Sequence, residues 1–173
     1  MGLDAAHERL VAAVEVESVR AGRREAGLLH RLDVTQLFDR STEQYPKGLG
    51  VTVPEVAEHL PDDLEPIEKV VFSAAEADGF DLDGRDQALV CGIETHVCVN
   101  QSVLDLLDRD VEVHVARDAV GSRSAENKEL GLHKVEQAGA VLTSVETALF
   151  ELVRQAGTDD FKQVQKVVLE YAP

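Results

Sequence analysis

The segment from residue 89 to residue 99 places a cysteine where an apolar strand pattern gives way to a helix. It reads Leu-Val-Cys-Gly-Ile-Glu-Thr-His-Val-Cys-Val, and its second cysteine, Cys98, lies at the start of the helical pattern. A helix amino terminus offers unpaired backbone N–H groups and the positive end of the helix dipole, which lower the pKa of a thiol and can hold an oxyanion. Cys98 is therefore a candidate nucleophile. The alternative is a small core hydrophobe, because cysteine is among the most buried residue types.

The other cysteine, Cys91, lies on the strand before that turn, and we expect it to be buried in the core. In a strand that runs into a helix the two thiols are poorly placed to bridge, so we expect both to be free, as in a reducing compartment. A zinc site built from the cysteines, His96 and His114 is disfavoured, because alternate strand residues point to opposite faces. No glycine-rich phosphate loop is present. We therefore expect neither a cofactor nor a metal.

The elements around this segment alternate between strand and helix. Strand patterns cover residues 34–39, 67–73, 88–93, 111–116 and 140–143. Helical patterns cover residues 5–32, 53–59, 97–107, 127–138 and 145–155, and residues 43–50 read as a loop. This alternation predicts an α/β fold, a Rossmann-like, doubly wound, mostly parallel sheet with helices on both faces and its site at the carboxyl ends of the strands.

Two details of this pattern concern individual strands. Residues 88–93 are almost continuously apolar, which predicts a central strand buried on both faces. Only Met1, Gly2 and Leu3 precede Asp4, so the first strand that such a sheet usually has is predicted to be short or missing.

Length and charge limit the possible functions. The chain has 173 residues, which predicts one domain over residues 1–173. Its net charge of -16 disfavours nucleic acid and anionic membranes as partners, and acids spread along the whole chain predict a halophilic protein. Without a membrane-spanning run or a secretory signal, we expect a cytoplasmic location.

Apolar residues at 161, 164, 167, 168 and 171 form one helical face, which we expect to contact a second copy in a homo-oligomer rather than its own sheet.

Five segments of this chain, taken in order, resemble the isochorismatase-like family, a group of amidases and related hydrolases. Residues 91–99 resemble its nucleophile segment, and their Glu-Thr-His variant is similar to the branch without a firmly assigned substrate. The resemblance continues through Thr-Glu-Gln-Tyr-Pro-Lys-Gly-Leu-Gly at residues 42–50 and Ile-Glu-Lys-Val-Val-Phe-Ser at residues 67–73. It also includes Ala-Arg-Asp-Ala-Val-Gly-Ser-Arg at residues 116–123 and Glu-Gln-Ala-Gly-Ala at residues 136–140.

The resemblance implies a catalytic triad of aspartate, lysine and cysteine. Cys98 matches the cysteine and Lys69 the lysine. A lysine in that position favours a thiolate and stabilises negative charge on a substrate oxygen, whereas the alternative is a solvated lysine at a strand end. The resemblance further implies an oxyanion hole formed by the backbone N–H groups of Glu94 and Cys98, and a cis peptide between Ile93 and Glu94.

The aspartate is where the sequence departs from the family pattern. When His7 is aligned with the polar position of the family, Ala5 occupies the place of the aspartate, and Asp4 comes one residue early. Asp4 is thus the candidate third catalytic residue. A helix cap is the alternative role for the same side chain.

Further residues are candidates for substrate contacts. Thr95 and His96 lie in the turn before Cys98, and Glu43, Tyr45 and Lys47 lie on the 43–50 loop, for which an ordinary surface loop is the alternative. We expect Asp118 and Arg123 to hold the loop after the following strand.

Together these observations predict a cysteine-dependent hydrolase that acts on a small amide, imide or vinyl ether. The alternative is a catalytically impaired pseudo-enzyme, or a small-molecule-binding subunit, that lacks a working aspartate.

Overall fold

The computed structural model describes residues 40–58 and 60–171. It also describes the backbone of residues 14–19. The strands are β1 (Val14–Val19), β2 (Thr42–Gln44), β3 (Ile67–Lys69), β4 (Gln87–Ile93), β5 (Glu112–Gly121) and β6 (Val141–Thr143). The helices are α1 (Pro46–Leu49), α2 (Pro54–Ala57), α3 (Asn100–Leu107), α4 (Ala125–Ala138), α5 (Val145–Val153) and α6 (Asp159–Tyr171). A π-helical turn, Thr95–Val99, leads directly into α3.

The described strands form two sheets. The larger is four-stranded, with the order β1-β4-β5-β6, in which β4, β5 and β6 run parallel and β1 pairs with β4 in the antiparallel direction. Parallel neighbours need crossover connections, and α3 joins β4 to β5 while α4 joins β5 to β6. The smaller sheet pairs β2 and β3 in parallel, with Gln44 opposite Lys69. The prediction of an α/β fold with a mostly parallel, helix-flanked sheet is confirmed.

The core lies between the larger sheet and helices α3 and α4. The π-helical turn and α3 contribute Cys98, Val99, Val103 and Leu106, and α4 contributes Leu132 and Val135, all buried against the strands. The burial of these apolar side chains is the main favourable term that fixes the turn before α3 against the sheet. Among the described helices, none combines the length and the apolar character that crossing a bilayer requires.

The amino-terminal part differs from the helix predicted over residues 5–32. Residues 14–19 form strand β1 instead, with Val14 opposite Gly92 and Val19 opposite Gln87. In their sequence, Val-Glu-Val-Glu-Ser-Val, the first four residues alternate between apolar and polar with the period of a strand, which here outweighs the charged helical context. The predicted strand over residues 34–39, the short first strand and Asp4 lie outside the described residues.

Three local predictions also need correction. The predicted loop over residues 43–50 contains the end of β2 and the short helix α1. Strand β3 ends at Lys69 rather than at residue 73, because Val70 leaves the ladder with 75% of its surface exposed. Cys91 is only partly buried, as is Leu89, because burial along β4 alternates between a covered face and a less covered one.

Candidate functional site

The ends of three strands bring one cysteine, one lysine and one glutamine together. Cys98 follows the end of β4, whereas Gln44 and Lys69 are the paired last residues of β2 and β3. Lys69 Nζ lies 2.5 Å from Gln44 Oε1, and Cys98 Sγ lies 3.8 Å from the same oxygen. Cys98 is 3% exposed, Lys69 4% and Gln44 5%, so this polar group is almost fully removed from solvent.

Lys69 donates to three oxygen atoms. Its Nζ lies 2.5 Å from Gln44 Oε1, 2.8 Å from the Phe72 carbonyl oxygen and 3.2 Å from the Val71 carbonyl oxygen. Burial lowers the pKa of Lys69, while the neighbouring Cys98 acts in the opposite direction. An ammonium has three protons to donate and a neutral amine only two, so the three acceptors fit the charged form. The three oxygen acceptors around Nζ therefore favour the ammonium form of Lys69.

The thiol of Cys98 does not have the lowered pKa that the helix start predicted. Burial raises the pKa of Cys98, and the charge of Lys69 and the backbone N–H of Glu94 offset only part of that effect. The reason is desolvation, which disfavours the thiolate more than the nearby positive groups favour it. Burial thus favours the thiol form of Cys98 over the thiolate.

The turn before Cys98 has the backbone geometry that the resemblance implied. The peptide between Ile93 and Glu94 is cis. The backbone N–H of Glu94 acts to lower the pKa of the Cys98 thiol. The Glu94 carbonyl accepts hydrogen bonds from the N–H groups of Val97 and Val99, at 3.1 and 3.2 Å. The cis peptide therefore agrees with the expectation, and the oxyanion hole of Glu94 and Cys98 stays a prediction.

Arg123 holds the side chain of Glu94. The Glu94 carboxylate accepts from the Arg123 backbone N–H at 3.0 Å, from Nε at 3.0 Å and from Nη2 at 2.6 Å. These hydrogen bonds hold the pKa of Glu94 below its usual range. Arg123 thus has the structural role that we expected, but the segment that it holds is the turn that leads to Cys98 and not the loop at the end of its own strand.

A serine on α3 joins the lysine side of the site to the cysteine side. Ser102 Oγ donates to the Cys98 carbonyl oxygen at 2.8 Å and accepts from the Ala74 backbone N–H at 2.7 Å. Ala74 follows the loop whose carbonyl groups accept from Lys69. Ser102 is fully buried, so this bridge fixes the loop after β3 against the nucleophile turn.

The predicted substrate-contacting residues surround this group, and several of them have structural partners. Glu43 is buried, and its Oε1 accepts from the backbone N–H of Thr52 at 2.7 Å and from its hydroxyl at 2.6 Å. The Tyr45 backbone N–H donates to the Lys69 carbonyl at 2.7 Å, while half of the Tyr45 residue surface is exposed. The carboxylate of Glu43 thus binds Thr52 in the loop after α1. Lys47 is exposed on α1.

The two predicted residues in the nucleophile turn contact the end of β5 and the residue after it. Thr95 is fully buried and donates its hydroxyl to the Gly121 carbonyl at 2.8 Å. His96 Nδ1 lies 3.0 Å from Ser122 Oγ. Asp118, further back on β5, accepts from the backbone N–H of Val145 at the start of α5, which confirms its structural role.

Gln44 is the residue at this site that sequence reasoning missed. It lies between two residues that were singled out, Glu43 and Tyr45, within a segment that carries the family resemblance. Its role depends on the pairing of β2 with β3, which no periodicity in a three-residue strand reveals. Asp4 lies outside the described residues, so its role as the third catalytic residue stays a prediction.

A metal or a large cavity does not define this site. Among the described residues, no group of three His, Cys, Asp or Glu side chains is placed to bind a metal ion. An open surface depression of about 450 Å³ lies along the first turns of α5, and its lining residues include neither Cys98 nor Lys69. The convergence of buried polar groups is what identifies the site.

Comparisons with known proteins give consistent similarities. The family model described as the isochorismatase domain matches residues 36–147. Isochorismatase domain-containing protein 2A of Mus musculus is 43% identical over 145 residues, which cover 82% of this chain and 68% of that protein. The secreted isochorismatase effector Isc1 of Phytophthora sojae is 41% identical over 137 residues, which cover 75% of this chain and 65% of that protein.

A solved structure is similar in fold and in sequence. The structure described as MAR1 ribonuclease from Caenorhabditis elegans superimposes with a TM-score of 0.69 at 42% identity, covering 76% of this chain and 69% of that chain. The chain thus spans about two thirds of the length of the relatives that it matches.

Proposed function

This chain belongs to the isochorismatase family of hydrolases, and from that membership we propose that it is a cysteine-dependent hydrolase of a small amide, imide or vinyl ether. The observation that carries the proposal is the convergence of Cys98 and Lys69 on Gln44 Oε1. Lys69 and Cys98 lie at the ends of different strands and are buried together. Burying such polar groups costs free energy, which a purely structural core would avoid. Buried, perturbed titratable groups that share a site are typical of active sites.

The first half of the proposed reaction on an amide forms a thioester. A base removes the thiol proton of Cys98, and the sulfur forms a bond to the carbonyl carbon while the carbonyl electrons move to its oxygen. The backbone N–H groups of Glu94 and Cys98 hold that oxyanion, and the ammonium of Lys69 adds positive charge nearby. The carbon–nitrogen bond then breaks, and the leaving nitrogen takes the proton that came from the thiol.

The second half of the reaction regenerates the thiol. Water attacks the thioester carbon, its proton moves to the base, and the sulfur–carbon bond breaks to release a carboxylic acid. The base passes the proton that it took from water to the Cys98 sulfur, so that the sum is amide plus water giving acid plus amine. Water-excluding burial around the site strengthens each electrostatic interaction in both halves.

Lys69 does not serve as the base in this scheme. Its three protons are donated to Gln44 Oε1 and to two backbone carbonyl groups, which leaves no lone pair for a proton. The base therefore comes from another residue, and Asp4 is the residue that the sequence offers for it. A pseudo-enzyme would have the same pocket without that base.

The experiment is a turnover screen of small amides, imides and vinyl ethers with the wild-type chain, Cys98→Ser, Lys69→Met and Cys91→Ser. We expect turnover of at least one class, its loss in Cys98→Ser, a fall of about 100-fold or more in kcat in Lys69→Met, and no loss in the matched control Cys91→Ser. Mass spectrometry of quenched reactions should then show the acyl group on Cys98.

Two other outcomes would contradict the proposal. Equal turnover in Cys98→Ser would exclude the cysteine mechanism. Absence of turnover together with protection of Cys98 from alkylation by a panel compound would indicate a binding subunit. A single-stranded RNA is included in the screen because a solved relative is named a ribonuclease. We expect no RNA cleavage, since a net charge of -16 repels a phosphate backbone.

A further inference from the structure

The side-chain amide of Gln44 is the point at which the two proposed catalytic groups meet. Its Nε2 donates to the Val70 carbonyl at 2.9 Å, and its Oε1 accepts from Lys69 Nζ at 2.5 Å and faces Cys98 Sγ at 3.8 Å. Gln44 is 5% exposed, so these contacts are not shared with bulk water. Each end of the amide therefore has its own partners.

The orientation of this amide follows from the chemistry of those partners. An ammonium has no acceptor, so Lys69 must face the oxygen of Gln44 and not its nitrogen. The Val70 carbonyl has no donor, so it must face the nitrogen. A flipped amide would set donor against donor and acceptor against acceptor. The oxygen that faces Cys98 is thus fixed in place by Lys69 and Val70.

A fixed carbonyl oxygen beside a sulfur favours one protonation state. The oxygen can accept a proton from a thiol, but it cannot donate to a thiolate, whose negative charge it would instead oppose. Lys69 favours the thiolate through its charge and a side-chain hydrogen bond, but it also donates to three oxygen atoms that compete for its protons. The other titratable group that acts on Cys98 among the described residues is Glu94, which is paired with Arg123 and also disfavours the thiolate.

We propose that Gln44 is a positioning residue that keeps Cys98 as a thiol and Lys69 as an ammonium until a substrate and a base arrive. This role of Gln44 rests on the proposed hydrolase function, because Gln44 would allow the Cys98 thiolate to form only once a substrate occupies the site. The amide oxygen accepts from the S–H group, and it also competes with the sulfur for one proton of Lys69. Both effects disfavour the thiolate in the empty site.

The experiment measures the rate of Cys98 alkylation by iodoacetamide as a function of pH, by peptide mass spectrometry, in the full chain. Gln44→Met removes the oxygen and nearly preserves the volume, so we expect the pH midpoint to fall by about one unit, which is a tenfold change in the thiol equilibrium. Gln44→Glu adds a negative charge beside the sulfur, so we expect the midpoint to rise. The matched control is Gln87→Met, which removes an amide that contacts Glu112 and should leave the midpoint unchanged.

Identical midpoints in the wild type, Gln44→Met and Gln44→Glu would overturn the proposal. If a variant does not fold, infrared spectroscopy of the wild type, with Cys98→Ser as the reference, decides instead. An S–H stretching band lost in Cys98→Ser supports the proposal, and a wild type without that band at neutral pH overturns it. Neither measurement depends on turnover, so a negative turnover screen with the expected order of midpoints contradicts only the hydrolase proposal.

Discussion

At Cys98, burial and charge act on one thiol in opposite directions. Burial raises the pKa of Cys98, whereas the charge of Lys69 and the N–H of Glu94 lower it. The sequence predicted the helix start and the lysine, and from them a lowered pKa. It could not reveal that the side chain would be 3% exposed, and desolvation then outweighs both positive groups. The sequence thus predicts which groups act on Cys98, but not the direction in which its pKa shifts.

The pairing of Arg123 with Glu94 leads to a prediction about pH. Arg123 holds the pKa of Glu94 below its usual range, so the pair adds stability above the unfolded-state pKa of Glu94 and loses it as the pH falls through the folded-state value. We expect Arg123→Met to unfold at a lower denaturant concentration than the wild type at neutral pH. That difference should shrink below the ordinary glutamate range of about 4.3.

Arg123→Met should also lower kcat, because Glu94 presents its backbone N–H to Cys98. Arg123→Lys should recover only part of kcat, since lysine cannot reproduce the two-pronged contact. The matched control is Arg109→Met, which removes an exposed ion pair with Glu76 and should change stability without changing kcat. A constant stability difference across the pH range would contradict this account.

Among the elements, α4 approaches the nucleophile turn more closely than any side chain would allow. A Cβ atom on Gly131 would lie 2.8 Å from the carbonyl carbon and oxygen of Thr95 and 2.9 Å from the His96 nitrogen. These are backbone atoms, so they cannot rotate away. The glycine is therefore a requirement for packing α4 against the turn that holds Cys98.

We expect Gly131→Ala to shift that turn and to destabilise the fold by about 1–3 kcal/mol, the usual range for overpacking. Alkylation of Cys98 and any turnover should fall as well. Chemical denaturation and the alkylation rate measure the two effects. Leu130→Ala, the exposed neighbour on the same helix, is the control and should preserve the alkylation rate. If Gly131→Ala has the stability and the Cys98 reactivity of the wild type, α4 can move away from the turn without cost, which would contradict this account.

Elements with a strong period were predictable, and short or paired elements were not. The apolar run of β4, the turn and α3 follow from one continuous pattern, so the position of Cys98 could be predicted. Strand β1 was missed because its six residues lie within a charged, helix-like context. The β2–β3 pair was missed as a pair, because three-residue strands carry no usable period and their register sets Gln44 opposite Lys69.

For the whole molecule, net charge leads to a prediction about salt. At -16 the folded chain repels itself, and this repulsion weakens as the Debye length falls from about 10 Å at 0.1 M to about 3 Å at 1 M salt. We expect the Tm to rise between about 0.1 M and about 2 M potassium chloride, as followed by calorimetry. A Tm that is flat or falls over this range would contradict halophilic behaviour.

Assembly is a second property of the whole molecule, and the structure changes the argument for it. The apolar face of α6 packs partly on its own chain, because Val164 is fully buried and the Phe161 ring lies 6.2 Å from that of Phe150. Among the residues of that face whose burial is described, Val167 is 41% exposed and Val168 is partly exposed, and both are open to a neighbour. The homo-oligomer therefore stays a prediction, which light scattering at high salt can check.

The most direct test of the central claim compares the two cysteines of the folded chain. Cys91 is partly buried and Cys98 is buried, so exposure alone would make Cys91 the faster to react. If Cys98 is the nucleophile of an amide-binding site, iodoacetamide, which carries an amide, should label Cys98 faster, and Lys69→Ala should slow that labelling. Equal labelling of both cysteines, or faster labelling of Cys91, would contradict the account.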